Sequence, residues 1–368
     1  MLARMVCCRS LIGPRLVLIA VVSACLAALI PPAAQAGVAN AGLRPARAAD
    51  PLSGLRWGDY SGPLDEVFPA YRRAGGSDRR LLGEIALRPR VRWFGAWYSD
   101  AQAERTARQY IANVTGGNPN VLAQMAVFRL VPWEAEACHR LPTAAEQASY
   151  ERWIRAFAAG IGSARVALIL QPDLPFALCV PHRSRLPLHL VAYAAGVFAA
   201  LPHATVYIDA GAADWPSVGE AAAILRSSGV RYARGFALDA THYDATASEI
   251  RFGQQVVRKL TAAGVPGRHF VINTAENGRP FTYQHYGDAS TYDNAPVCPS
   301  HARRGCVALG IPPTWDVASP RWHLSARVRA IAARYVDAYL WIGRPWLEHQ
   351  ADPFDLARAL ALARANPF

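Results

Sequence analysis

The chain reads as an α/β protein, a parallel β/α barrel forming a single domain over residues 89–368. Three observations carry this reading. Short apolar, β-branched runs alternate with stretches of helical period. Six or more such units fit within one domain, which favours a closed barrel. Carboxylates, amides or His follow most of the expected strands, as they do where strand ends share one face. Strands are expected at 125–130, 166–170, 205–208, 235–238, 270–272 and 336–342, and helices at 144–161, 188–201, 218–228, 248–263 and 353–365. Thr143 and Ser248 suit helix N-caps and Gly264 a C-cap. Strands separated by helices pair in parallel through right-handed crossovers. An open doubly wound sheet is the alternative, but no G-x-G-x-x-G follows the first strand, so a dinucleotide site is not expected.

Composition bounds the rest. The chain has 368 residues, 52% apolar and 18% charged, which excludes a disordered chain, a collagen and a short disulfide toxin. Its only long apolar run is N-terminal, so no internal membrane span is expected. Arg4, Arg9 and Arg15 precede and open an apolar core at 16–30, and Ala34-Gln35-Ala36 is a small-x-small site. Residues 1–36 therefore read as a secretory signal, with a lipoprotein processed at Cys25 as the alternative. Removing them takes three arginines and no acid, so the net charge of +12 becomes +9. The remaining basic residues are scattered, and Lys259 is the single lysine, so the charge is not read as a nucleic-acid surface. Residues 37–88 are rich in Ala, Gly, Arg and Pro and read as a linker into the domain edge. Cys138, Cys179, Cys298 and Cys306 remain after the signal, enough for two disulfides in one of three pairings. No C-x-x-C occurs, so a zinc ribbon is not expected, and no metal or other cofactor is assigned.

The strand ends hold the chemistry. Gln171-Pro172-Asp173, Asp209-Ala210-Gly211, Asp239-Ala240-Thr241-His242-Tyr243 and Asn273-Thr274-Ala275-Glu276-Asn277-Gly278 each follow an expected strand. In a β/α barrel these ends converge on one site. Trp93, Trp97, Tyr98, Trp133, Trp215, Trp341 and Trp346 lie nearby. Flat rings beside carboxylates suit sugars, whose C–H faces stack while hydroxyls bond acids and amides; tryptophans also fill cores. No G-x-S-x-G or H-E-x-x-H points to another hydrolase class.

These motifs, in order, resemble those of glycoside hydrolase family 6, secreted β-1,4-glucanases and cellobiohydrolases. Gln171-Pro172-Asp173 is similar to E-P-D, and Tyr207-Ile208-Asp209-Ala210-Gly211 with Asp214-Trp215 to Y-x-D-A-G-H-x-x-W. The run 235–243 resembles G-F-A-L-N-V-S-N-Y, 271–278 resembles V-I-D-T-S-R-N-G, 307–310 resembles R-A-L-G and 336–342 resembles V-D-A-Y-L-W-V. The resemblance implies a distorted, TIM-like, seven-stranded parallel β/α barrel and a secreted, monomeric inverting glycosidase acting on a polysaccharide or oligosaccharide. Asp173 would be its general acid. Glu136 is the nearest equivalent of the Asp in P-x-R-D-C, which tunes that acid. Cys138 and Cys179 would form the family's first disulfide. The usual partner of Cys298 is missing, so a local bridge to Cys306 is expected. Trp93, Asp209, Trp215, His242, Asn277 and Trp346 would contact substrate.

The last loop departs most. The family's K-x-P-G-E-S-D-G becomes Gly343-Arg344-Pro345-Trp346-Leu347-Glu348-His349-Gln350-Ala351-Asp352. Glu348 is expected to be the catalytic base, with His349, Asp352 or no group as alternatives. Gln171 replaces Glu, Ala212 His, His242 Asn, Glu276 Arg and Phe128 Tyr. Together these changes leave open a relative that binds glycan without efficient hydrolysis.

Overall fold

The computed structural model describes residues 50–62, 67–286, 289–300, 303–351 and 353–368. The expected signal sequence lies outside them. Eight parallel strands are present among the described residues: β1 (Arg56–Trp57), β2 (Arg92–Gly95), β3 (Val121–Phe128), β4 (Val166–Leu170), β5 (Ala204–Asp209), β6 (Gly235–Leu238), β7 (His269–Asn273) and β8 (Val336–Leu340). Strands β2 to β8 pair in chain order, and the two-residue β1 adds to the same edge of β3. That is the seven-stranded distorted barrel expected. No β8–β2 ladder is formed among the described residues. Instead Val91 N donates to Trp341 O at 2.9 Å and Trp93 Nε1 to Ile342 O at 2.8 Å.

Alternate strand residues face opposite sides, and the chain uses both faces for burial. Met125, Val127, Leu168, Leu170, Val206, Ile208, Phe236 and Phe270 pack outward under the helices. Ala126, Ala167, Ile169, Tyr207, Ala237, Val271 and Ala338 fill the interior. Inside, Asp337 of β8 is fully buried and accepts from Tyr207 Oη at 2.8 Å and from Arg234 Nε and Nη2 at 2.8 and 2.9 Å. Nδ1 of His269 lies 3.1 Å from Asp337 Oδ1.

The helices are α1 (Phe68–Arg73), α2 (Gly76–Ala86), α3 (Asp100–Thr115), α4 (Ala144–Ile161), α5 (Leu186–Ala199), α6 (Val218–Ser227), α7 (Thr246–Ala262), α8 (Tyr283–Tyr286), α9 (Ala326–Tyr335) and α10 (Leu356–Arg364). Thr143 caps α4 as expected: Glu146 N donates to Thr143 Oγ1 at 3.2 Å, and Thr143 N to Glu146 Oε2 at 2.7 Å. Ser248 is not a cap, because α7 starts two residues earlier, after Ala245. The described part of 37–88 is more ordered than a linker. Leu82, Ile85 and Ala86 of α2 join a core cluster with Trp341, Trp346 and Leu360. None of the described helices is long and apolar enough to cross a membrane.

Candidate active site

The carboxyl ends of the strands open into a cleft of about 560 Å³. Asp173 follows β4 and is only 9% exposed, with its backbone in the left-handed region at φ 62°, ψ 25°. Thr241, after β6, donates Oγ1–H to Asp173 Oδ1 at 2.6 Å. Burial pushes the Asp173 carboxyl up to about 6. The Thr241 bond and His242 oppose this, while the carboxyls of Glu134 and Asp293 add to it. Aromatic walls flank the acid. Trp215 stacks on the His242 ring at 5.3 Å and 11° and meets Phe176 edge-on at 5.2 Å. Trp93 lies deeper under the Arg344 guanidinium at 4.6 Å, and Trp97 stands at the mouth, 53% exposed.

This architecture and the ordered motifs agree with a direct comparison. The sequence profile of Glycosyl hydrolases family 6 matches residues 58–346. The chain belongs to this family. Endoglucanase A of Cellulomonas fimi is 33% identical over 223 residues, 60% of this chain and 47% of its own length, so the match spans about half of that relative. Endoglucanase 1 of Streptomyces halstedii is 30% identical over 251 residues, 66% of this chain and 75% of its own. The endoglucanase Cel6 of Mycobacterium tuberculosis, solved with methyl-cellobiosyl-4-deoxy-4-thio-β-D-cellobioside, superposes with a TM-score of 0.68 and 28% identity, covering 86% of this chain and 99% of that one. The family 6 enzyme of Orpinomyces shares the fold, with a TM-score of 0.65 at 20% identity over 87% of this chain and 99% of its own.

The family departures now have physical causes. Gln171 is fully buried and faces away from the cleft: its Oε1 accepts from Arg129 N at 3.3 Å and Leu130 N at 3.2 Å. It thereby clamps the ends of β3 and β4 without a charge. Glu276 is also fully buried, and a Cβ at position 343 would lie 2.1 Å from both its oxygens. Gly343 is therefore the room that Glu276 needs, and the two departures are one rearrangement. Burial raises the Glu276 carboxyl well above its ordinary range. It sits behind the cleft rather than adding charge to it.

The disulfides Cys138–Cys179 and Cys298–Cys306 are both formed, and the first ties the loop after β3 to the Asp173 loop. Glu136, expected beside the acid, is not there. It is exposed and pairs with Arg140 Nε at 2.9 Å, while Glu134 lines the cleft instead. Both lie on the 3₁₀ turn Glu134–Cys138, where residues two apart point in different directions. Glu136→Ala is expected to leave glycan cleavage within about threefold of wild type and the urea midpoint almost unmoved, because an exposed ion pair is worth little, read in parallel rate and unfolding measurements.

Among the residues expected to contact substrate, Trp93, Trp215 and His242 line the cleft, and the other three do not. Trp346 is 2% exposed and packs against Trp341 at 6.2 Å and Arg90 at 5.6 Å, so it is core. Asp209 is buried behind Asp173 and accepts from Gly211 N at 3.0 Å; burial, then Asp173, raises it well above its ordinary range. Asn277 is 5% exposed, and its Nδ2 donates to Asp244 O at 3.0 Å and Asp239 Oδ2 at 3.2 Å. Both hold the loops from below. Glu348 is exposed outside the cleft wall, whereas His349 faces in. Asp352 lies outside the described residues.

Sequence reasoning missed Glu134, Thr241 and the connection 279–297, which brings Tyr283, Gln284, Tyr292 and Asp293 to the cleft. That connection is anchored. Tyr283 N donates to Asp214 Oδ2 at 2.8 Å, and Gln284 Nε2 to Asp214 O at 2.8 Å. Asp214 Oδ1 in turn meets His242 Nδ1 at 2.8 Å. The aromatics Phe281, Tyr283, Tyr286 and Tyr292 were the available signal.

Proposed function

We propose that the protein is a secreted, inverting glycoside hydrolase that cuts β-1,4-glucan or a related polysaccharide, with Asp173 as general acid. The poise of Asp173 carries this reading. A carboxyl raised to about 6 is half-protonated at about pH 6, where an ordinary Asp is almost fully ionised, and can deliver that proton to the oxygen of the leaving sugar. Water then adds to the opposite face of the anomeric carbon, which requires a second carboxylate about 6.5–9.5 Å away. The rings of Trp93, Trp97 and Trp215 offer flat faces for successive sugars along the cleft. The endoglucanase relatives and the thio-cellobioside held by the Mycobacterium tuberculosis enzyme support a β-1,4-glucan as substrate. Two disulfides and the leader-like residues 1–36 support export. The retained and poised acid argues against a relative that only binds glycan.

Asp173 is competent while protonated, so rising pH removes the active form. The kcat/KM profile on a soluble β-glucan is expected to fall on its alkaline side with a midpoint at about 6. A profile flat to pH 8, that is about two units beyond this midpoint, would count against Asp173 as the acid. Incubating residues 37–368 with a panel of soluble β-glucans and following reducing ends tests the reading as a whole. Release of new ends supports it, and inertness on every glycan removes it.

A further inference from the structure

Inversion needs a carboxylate that is ionised, open to water and across the cleft from the acid. Three carboxylates besides Asp173 line the cleft among the described residues: Glu134, Asp214 and Asp293. Asp214 is spent, because Oδ1 meets His242 Nδ1 and Oδ2 accepts from Tyr283 N. Burial and the neighbouring Asp293 carboxyl raise the Glu134 carboxyl. Glu134 follows β3, the neighbour of β4, and its loop is cross-linked to the Asp173 loop through Cys138–Cys179. Glu348, on the last loop, is turned out to solvent.

Asp293 is the remaining candidate. It is carried by the connection after β7, three strands round from β4. The preceding residue is a fixed anchor. Tyr292 is 4% exposed, its carbonyl accepts from Tyr243 Oη at 2.9 Å, and its ring meets His242 edge-on at 5.5 Å. Asp293 itself is an exposed residue lining the cleft, and no hydrogen bond to its carboxyl is formed among the described residues. We infer that Asp293, on a loop outside every motif that marks the family, is the base that activates the attacking water opposite Asp173. The assignment rests on the hydrolase reading above. Electrostatics acts on the two carboxyls through shared neighbours. Burial raises both; His242 opposes the rise at both, and His349 opposes it at Asp293, while the Glu134 and Asp293 carboxyls push Asp173 further up.

In the step, the water oxygen bonds to the anomeric carbon as the bond from that carbon to the bridging oxygen breaks. One water proton passes to Asp293, and the Asp173 proton passes to the leaving oxygen. The net change is addition of one water, and proton exchange with solvent resets both carboxyls.

The test uses wild type, Asp173→Asn, Asp293→Asn and Asp293→Ala on carboxymethyl cellulose and on 2,4-dinitrophenyl β-cellobioside, whose leaving group needs no acid. Both Asp293 variants are expected to lose at least about 100-fold in kcat on both substrates with KM within about threefold. Asp173→Asn should keep most of its rate on the dinitrophenyl glycoside. Azide should restore Asp293→Ala at least about tenfold and yield the α-glycosyl azide, because a small anion then replaces the activated water. A structural role for Asp293 would not produce that azide. Rates within about threefold of wild type in both Asp293 variants, or slow variants that azide does not revive, would overturn the assignment. Wild-type activity lost in Asp173→Asn on the cellulose derivative but kept in Asp293→Ala removes only this assignment. Wild-type protein inert on both substrates removes the hydrolase reading and the assignment with it.

Discussion

Asp173→Asn is expected to lower kcat on a soluble β-1,4-glucan by about 10²–10⁴-fold, with KM near the wild-type value. The amide keeps the size of the carboxyl and can still accept the 2.6 Å bond from Thr241. It has no acidic proton to give. The loss should therefore fall on the chemical step and spare binding by Trp93, Trp97 and Trp215. Steady-state kinetics beside a glycan-binding titration checks this. A variant that cleaves at the wild-type rate would show that the proton comes from elsewhere.

The largest effect on stability is expected far from the cleft. Asp337→Ala should cost about 3–5 kcal/mol, the range for removing one partner of a buried ion pair. Asp337 is fully buried, and Arg234, 16% exposed at its side chain, donates to both its oxygens. Burial alone would raise the Asp337 carboxyl, but the bonds from Arg234 and His269 outweigh it and hold it below the usual carboxylate range. Truncation leaves the Arg234 guanidinium, Tyr207 Oη and the His269 ring without their shared acceptor inside the barrel. Urea unfolding reads the difference. A midpoint shift worth less than about 1 kcal/mol would mean that solvent or another acceptor replaces the carboxylate.

How far the molecule could be read from its sequence depended on period and packing. The strands after β2 were visible because both faces are buried, which leaves uninterrupted apolar runs such as Val166–Leu170. Asp173 was visible because it ends such a run. Helix α2 was missed, since its polar start at 76–80 hides a short stripe of Leu82, Ile85 and Ala86. Glu136 was preferred to Glu134 because two inserted residues shift the turn, and the direction of a side chain on a 3₁₀ turn does not follow from spacing to a cysteine. Trp346 illustrates the same limit for aromatics. It was expected to contact substrate, yet it packs on Trp341 and is core. The connection 279–297 has no regular period, so nothing local indicated that Asp293 and Tyr292 reach the cleft. The exchange of Arg for Glu276 and of Lys for Gly343 read as two charge changes and became one packing change once the carboxyl was found against the glycine.

The measurement that bears most directly on inverting hydrolysis is proton NMR of wild-type protein acting on a soluble cello-oligosaccharide, followed from the first minutes. An inverting pair built on Asp173 predicts that the α-anomer of the new reducing end appears first and then mutarotates towards equilibrium. First appearance of the β-anomer, or intact oligosaccharide throughout, would contradict it.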